Sequence, residues 1–331
     1  MPVCIITPEH LIDPKAPCAG ILRDAGFQVV YPKDETLARG RLSDEATIDE
    51  LKNVDAVIAG GESYSATVLN ALPKLRVVAR SGVGYDRVDV PVATSRKVAV
   101  AITPTANHEC VAEHALAMML AAAKNVLAND AEVRAGQWAR VLTEPIRGKT
   151  IGLIGLGRIG RSMAVRVRAL GMNVLVHERY PDLNFVEQHN LKLVELPQLL
   201  AESDYVSLHC PATPETANLI RRETLALMKP GSTLINSARG SLVAEADLAE
   251  ALHKGHLRAA CIDVFGIEPP LPDNPLLHAP NVILAPHLGG MDKLSLENMG
   301  IESARNIVGL KSGVWPTGAI VNDDLRAAWA W

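Results

Sequence analysis

The chain has 331 residues, 48% of them hydrophobic and 21% charged, a globular composition in a chain too long for one core, so two domains are expected. A formal charge of −4 and a pI near 6.2 exclude the basic footprint that nucleic acid or an anionic membrane surface would need. No apolar run approaches spanning length and MPVCIITPEH is no signal core, while Cys4, Cys18, Cys110, Cys210 and Cys261 form no CxxC pair, so reduced, mostly buried thiols, a cytoplasmic location and no metal site are expected.

Val3–Thr7 reads as a buried strand, Lys15–Ala25 as a helix closed by Gly26, and Phe27–Tyr31 as a second strand. Ser43 is the expected N-cap of a helix to Lys52, with Asp44 and Glu45 in its first turn, where the helix dipole favours acids. Strand Asp55–Gly60 runs into Gly60-Gly61-Glu62-Ser63, helix Ala66–Leu72 follows, and strand Arg76–Arg80 ends at Ser81-Gly82-Val83-Gly84. Such alternation calls for a parallel sheet covered on both faces, an α/β fold. Glycines at the carboxyl end of a parallel strand expose amides where ligands of open sheets bind. The turn therefore reads either as a carboxylate cradle, with Arg80 beside it, or as an ordinary tight turn.

Val98–Ile102 is the next strand, and Thr103-Pro104 a hinge. Asn107 is expected to cap one long helix ended by Gly136, apolar enough in its first half to lie between layers or subunits. Within it Met118 and Met119 read as core packing, and Glu113 and His114 as a satisfied buried pair.

Thr150–Arg179 carries the strongest local signal. Apolar Ile151–Ile154 is followed by Gly155-x-Gly157-x-x-Gly160, a helix to Gly171, strand Val174–Val176 and Glu178. The order is that of a dinucleotide-binding unit, with an acid roughly 20 residues past the glycines. Gly155 permits the turn, Gly157 lets a pyrophosphate approach, Gly160 lets the helix pack on the strand, and the helix start at Arg158 and Ile159 faces the phosphates. Glu178 is placed on the ribose hydroxyls, selecting NAD; Arg179 next to it could reach a 2′-phosphate, so NADP is possible.

Strands Leu191–Val194, Tyr205–Cys210, Ser232–Asn236, Ala259–Val264 and Val282–Ala285 follow, with helices Pro197–Glu202, Arg222–Met228 and Ala246–Lys254 between them. Three of these strands end in polar residues on the cofactor edge: His209-Cys210-Pro211, Asn236-Ser237-Ala238-Arg239-Gly240 and Asp263-Val264-Phe265. Arg239 suits a substrate carboxylate and a polarised carbonyl. His287, after Val282–Ala285, suits proton transfer near neutral pH, with His209 a competitor. The last helix, Leu294–Leu310, is expected to return to the first domain.

From Arg80 to Gly290 the chain resembles the D-isomer-specific 2-hydroxyacid dehydrogenase family, which includes phosphoglycerate, glycerate and hydroxypyruvate/glyoxylate enzymes. The carrying segments, in the family's order, are RSGVGYDRVD, ITPTANHECVAEHAL, GKTIGLIGLGRIGRSMA, SLHCPATPETANLI, INSARGSLVAEADL, ACIDVFGIEPP and APHLGG. The resemblance implies two Rossmann-like domains: a flavodoxin-like substrate-binding domain from residues 1–103 and 287–331, and an NAD(P)-binding domain from 104–286. It makes Arg239 the substrate-binding arginine, Glu268 the acid partner and His287 the general acid/base. It places Arg80 and Ser81–Gly84, including Gly82 and Val83, at the substrate. Gly155, Gly157, Arg158, Ile159, Gly160, Glu178, Arg179, His209, Cys210, Pro211, Thr216, Ser237, Ala238, Asp263 and Gly290 fall at the cofactor. It further implies a homodimer clasped through the nucleotide domains, which the apolar helix after Asn107 suits; because the sequence stops soon after the final helix, no regulatory domain like those of some phosphoglycerate enzymes is expected. The implied reaction is hydride transfer between NAD(P)H and a 2-oxo acid. A small unphosphorylated acid such as glyoxylate or hydroxypyruvate is favoured, because Gly60-Gly61-Glu62-Ser63 stands where phosphoglycerate enzymes carry basic residues and Glu62 would repel a phosphate. D-3-phosphoglycerate dehydrogenase is the alternative activity, an NAD-sensing corepressor-like protein the alternative class. A formate dehydrogenase is disfavoured by Ala285-Pro286 ahead of the histidine, where that group carries glutamine.

Overall fold

The computed structural model describes all 331 residues. They divide into two compact units, Met1–Asn107 with Gly290–Trp331, and His108–Gly289. The segment 287–289 therefore goes with the nucleotide-type unit, because its amides are tied to Asp263 there.

The first unit is built on five parallel strands: β1 (Val3–Ile6), β2 (Gln28–Val30), β3 (Ala56–Ala59), β4 (Val77–Arg80) and β5 (Ala99–Ala101). Their order, β2-β1-β3-β4-β5, is the flavodoxin-like one, with a topological switch point between β1 and β3. Except for the edge strand β2, whose Gln28 is exposed and whose valines are half-buried, the strands are short, mostly buried apolar runs, as parallel sheets require. Between them lie α1 (Pro17–Asp24), α2 (Asp44–Leu51), α3 (Ala66–Ala71) and α4 (Val90–Ser95). Ser43, Ser65 and Asp89 cap α2, α3 and α4 by accepting the amides of Ala46, Val68 and Val92, each cap contributing about 1 kcal/mol. The same edge is closed by the C-terminal segment: Ile102 N–H donates to Ala319 O, Val321 N–H to Val100 O, and Asn322 Oδ1 accepts the Val100 amide.

In the second unit, α5 (His108–Ala123) and α6 (Val126–Arg134) precede seven parallel strands: β6 (Thr150–Ile154), β7 (Asn173–His177), β8 (Lys192–Leu193), β9 (Tyr205–Leu208), β10 (Thr233–Asn236), β11 (Ala259–Ile262) and β12 (Val282–Leu284). Helices α7 (Arg158–Ala169), α8 (Leu183–Gln188), α9 (Leu196–Glu202), α10 (Arg222–Leu227) and α11 (Glu245–His253) connect them. The order β12-β11-β10-β9-β6-β7-β8 puts its switch point between β6 and β9. The final helix, α12 (Lys293–Lys311), belongs to the first unit and packs on α1 so closely that a Cβ at Gly300 would lie 3.0 Å from Leu11 and 3.3 Å from Cys18 Sγ.

Four expectations change. The single helix of 107–136 is two, bent by 57° at Asn125, whose φ of 48° leaves the helical region. Asn107 does not cap it; its Oδ1 has no hydrogen-bond partner. The apolar face of α5 is consumed by its own unit, where Ala112, Ala115, Met118, Met119 and Ala123 join the core beneath β6 and α7. The large exposed apolar residues lie further on, at Val126, Leu127, Val133, Trp138, Val141 and Leu142. Finally, Glu113 and His114 are not a pair: Glu113 is exposed and bridges to Arg166 at 2.9 Å, whereas His114 lies 3.2 Å from Asp263.

Candidate active site

At the switch point of the second unit the three glycines differ in what surrounds them. Gly155 has φ of +101°, and a Cβ there would lie 2.6 Å from His209 C. A Cβ on Gly160 would sit 2.2 Å from Gly155 O, so α7 rests directly on the turn. Gly157 is different: a Cβ there would meet nothing within 4 Å. Its side of the loop is open, and it caps α7 without a side-chain hydrogen bond, leaving the first-turn amides of exposed Arg158, half-buried Ile159 and Gly160 available to an anion. Glu178 faces the same loop and accepts Leu156 N–H at 2.7 Å and Tyr180 N–H at 3.0 Å. Beside it a cavity of about 440 Å³ is lined by His177, Leu193, Val194 and Gln198. Arg179 is exposed and stacks over the Tyr180 ring at 5.3 Å. An open glycine, free helix amides and a fixed carboxylate fit a dinucleotide.

Along the same edge, His209 Nε2 lies 2.9 Å from Ser207 Oγ, and burial lowers its pKa to about 4, so it is neutral at physiological pH and unsuited to act as a proton donor there. Burial pushes the neighbouring Cys210 thiol up to about 11, with the charge of Glu178 adding to it. Thr216 turns inward, its hydroxyl donating to Pro211 O at 2.8 Å. Ser237 is buried, and its hydroxyl has no partner.

The chemistry-bearing groups stand on three consecutive turns. After β10, Asn236 folds back, donating to Arg239 O at 2.9 Å and accepting Ala238 N–H at 3.1 Å, while the Arg239 guanidinium donates to Ala238 O at 2.6 Å. Gly240 must be glycine, because a Cβ there would lie 1.9 Å from Phe265 C. This abuts the loop carrying Glu268, whose Oε1 accepts Phe265 N–H at 3.1 Å. Its Oε2 lies 2.8 Å from His287 Nδ1. Desolvation would raise the Glu268 carboxyl, yet the hydrogen bond and charge of His287, the Phe265 amide and the charge of Arg239 hold it below the usual range. An ionised carboxylate only accepts, so Nδ1 carries the hydrogen and Nε2 is the ring atom at which a proton can be exchanged. The second unit thus brings Arg239, Glu268 and His287 to one sheet edge.

In the first unit the Ser81–Gly84 turn is held from below: Arg80 donates to Gly84 O at 3.1 Å and to Gly60 O, and Gly82 N–H donates to Thr103 Oγ1 at 2.9 Å. The amides of Val83 and Gly84 have no acceptor within the chain. Gly290 falls in this unit, against Asn107. Glu62 does not face a ligand as the sequence reading assumed. It is 1% exposed, and its Oε1 accepts the hydroxyls of Thr7 at 2.7 Å and Tyr64 at 2.9 Å. A repulsion of phosphate by that carboxylate is therefore not available. Gly60 and Gly61 are sterically closed instead, with a Cβ at either lying 2.7 Å from Ala38 Cβ or 2.5 Å from Ala38 O. The sequence placed Asn236 only among the polar strand ends on the cofactor edge; its part in folding back the Arg239 turn has no signal beyond a buried asparagine ending an apolar strand.

The family model for the D-isomer specific 2-hydroxyacid dehydrogenase, NAD binding domain, matches residues 116–289. The D-3-phosphoglycerate dehydrogenase of Mycobacterium tuberculosis is 44% identical over 254 residues, 76% of this chain and 48% of that protein. The glyoxylate reductase of Korarchaeum cryptofilum is 37% identical over 290 residues, 86% of this chain and 87% of that protein. A crystal structure of a Thermus thermophilus protein is similar with a TM-score of 0.83 and 33% identity, covering 96% of this chain and 99% of that one. The chain spans about half the length of the phosphoglycerate dehydrogenases it matches. With the NAD-binding model over most of the second unit and relatives aligned across both, the chain belongs to the D-isomer specific 2-hydroxyacid dehydrogenase family, with NAD as its cofactor.

Proposed function

We propose that this chain is an NAD-dependent D-2-hydroxyacid dehydrogenase interconverting a small 2-oxo acid and its D-2-hydroxy acid. The observation that carries it is the 2.8 Å Glu268–His287 pair on the same edge as Arg239. When bound, NAD(H) supplies hydride transfer to and from a carbonyl carbon. In reduction, His287 gives the proton at Nε2 to the carbonyl oxygen and regains one from solvent, while Glu268 steadies the imidazolium. Arg239 takes up negative charge growing on that oxygen, through a fork suited to a 2-oxo carboxylate. The amides of Val83 and Gly84, within the first unit, form by themselves a cradle of the kind that receives a carboxylate.

The substrate reading is glyoxylate or hydroxypyruvate. Its support is the closed space at Gly60 and Gly61, which admits no basic side chain at either position; Arg80, whose guanidinium donates to Gly60 O, is the counterweight. The second reading, D-3-phosphoglycerate, is supported by the 44% identity to enzymes of that name. Steady-state rates with NADH and glyoxylate, hydroxypyruvate and phosphohydroxypyruvate decide between them. A kcat/KM for phosphohydroxypyruvate well above that for hydroxypyruvate selects the second reading. No turnover of any 2-oxo acid, with NADH still bound, selects the NAD-sensing class. A homodimer is proposed from the exposed apolar segment Val126–Leu142, whose Trp138 is 81% and Leu142 96% exposed. A monomeric mass in sedimentation would remove it.

A further inference from the structure

The turn that presents His287 is held by one residue. Asp263, 0% exposed, accepts three consecutive amides: its backbone oxygen takes His287 N–H at 2.8 Å, Oδ1 takes Leu288 N–H at 2.7 Å, and Oδ2 takes Gly289 N–H at 2.8 Å. The grip is tight, since a Cβ on Gly289 would lie 3.0 Å from Oδ2. It is also needed, because His287 has φ of +57°, a left-handed conformation that a histidine adopts only where its surroundings impose it. A buried carboxylate requires polar partners to stay fixed. The remaining one is His114 on α5, its Nε2 3.2 Å from Asp263 Oδ1. The two atoms are within reach but out of line for a hydrogen bond, and Nε2 is a buried nitrogen with no other partner.

We propose that His114 is a positioning residue: by partnering the Asp263 carboxylate it fixes the His287–Gly289 turn, and with it the orientation of the proton-transferring imidazole. The inference rests on the proposed role of His287 for its effect on turnover, but not for its effect on the turn. Glu113 beside it is committed to Arg166, and Val111 of the same helix meets the turn at Gly289 only through apolar contact, so His114 is the polar connection from α5.

Hydrogen exchange of the 287–289 amides, measured without cofactor in wild type, His114→Phe and His114→Gln, reads the turn directly. Phenylalanine keeps ring bulk without a donor, whereas the glutamine amide can replace Nε2. Exchange at Leu288 and Gly289 is expected to accelerate about tenfold or more in His114→Phe and to stay within about threefold of wild type in His114→Gln. The kcat for 2-oxo acid reduction should follow the same order, falling about tenfold in His114→Phe with the KM for NADH changed less than about twofold. Unchanged exchange in His114→Phe, or an equal rise in both variants, overturns the inference. So does a rise shared by the β6 amides Ile151–Ile154, which would mark loosening of the whole unit. Weaker NADH binding with unaltered exchange also overturns it, by assigning His114 to the cofactor. If no 2-oxo acid is reduced, the proposed activity fails while the exchange data still decide the role of His114.

Discussion

The two sheets have the same kind of switch point and use it in opposite ways. Between β6 and β9 the crevice is kept open: nothing approaches the Cβ position of Gly157, and the start of α7 carries uncapped amides. Between β1 and β3 the crevice is plugged, because Glu62 turns inward and takes the hydroxyls of Thr7, at the end of β1, and Tyr64. The carboxylate cradle proposed for the first unit lies one strand further on, at the turn after β4. A shared topology therefore marks where a site can lie; one buried carboxylate decides whether it does.

Replacing the imidazole should produce the largest effect. His287→Ala is expected to lower kcat for reduction about 10²–10⁴-fold while fluorescence titration still shows NADH binding, because the open crevice is untouched. Closing that crevice comes next. Gly157 has φ of −68°, which any residue adopts, and space for a side chain, so Gly157→Val should fold normally. Its NADH dissociation constant should nonetheless rise about tenfold or more, since the isopropyl group occupies the approach of the pyrophosphate. Tight NADH binding by this variant would show that the crevice is not the cofactor site. In the plugged crevice the opposite is expected: Glu62→Ala leaves the buried Tyr64 hydroxyl without an acceptor, while Thr7 keeps Ile58 O at 3.2 Å, and should cost about 1–3 kcal/mol in denaturant unfolding, with kcat nearly constant. An unaltered unfolding midpoint would make the plug dispensable.

Smaller effects sharpen the catalytic edge. In Glu268→Gln the imidazolium loses its carboxylate, and reduction uses the protonated ring, so the alkaline fall of kcat/KM should begin at lower pH than in wild type. In the native enzyme the carboxyl of Glu268 is held below its usual range, so its support for the ring is present above that range and is lost as pH falls through the depressed value. An identical profile would take Glu268 out of the pair. Arg179→Ala should be the mildest, depressing kcat/KM with NADPH more than with NADH, by the ~0–1 kcal/mol of an exposed charge contact. Equal losses with both coenzymes would show that the guanidinium never reaches the 2′ position.

The alternation of strands and helices was legible because it rests on a local pattern of apolar runs punctuated by glycine. Arg239 and His287 stood out as polar residues after strands, whereas Glu268, and the choice of His287 over His209, came only through the resemblance to the family; the three lie on one sheet edge. What stayed hidden depends on side-chain direction. Nothing in the sequence around Glu62 distinguishes a carboxylate facing a ligand from one turned onto Thr7 and Tyr64. Glu113 and His114 are adjacent, yet a helix turns successive side chains apart, one to Arg166 and the other to Asp263. The break at Asn125 is weakly encoded, because asparagine only mildly disfavours a helix and, although it is enriched in the left-handed conformation, far more often occupies others.

The five cysteines have a practical consequence for spectroscopy. Cys4, Cys18, Cys110 and Cys261 are buried and Cys210 half-buried, and desolvation raises Cys18 above its ordinary value, Cys210 to about 11 and Cys261 to about 12. Maleimide and similar reagents attack the thiolate, so the native protein should be nearly silent toward them at neutral pH. A single cysteine introduced at Leu142, 96% exposed, would then take a fluorophore selectively without prior removal of the others. Placed within the exposed apolar segment, the dye would report self-association by resonance energy transfer between labelled copies.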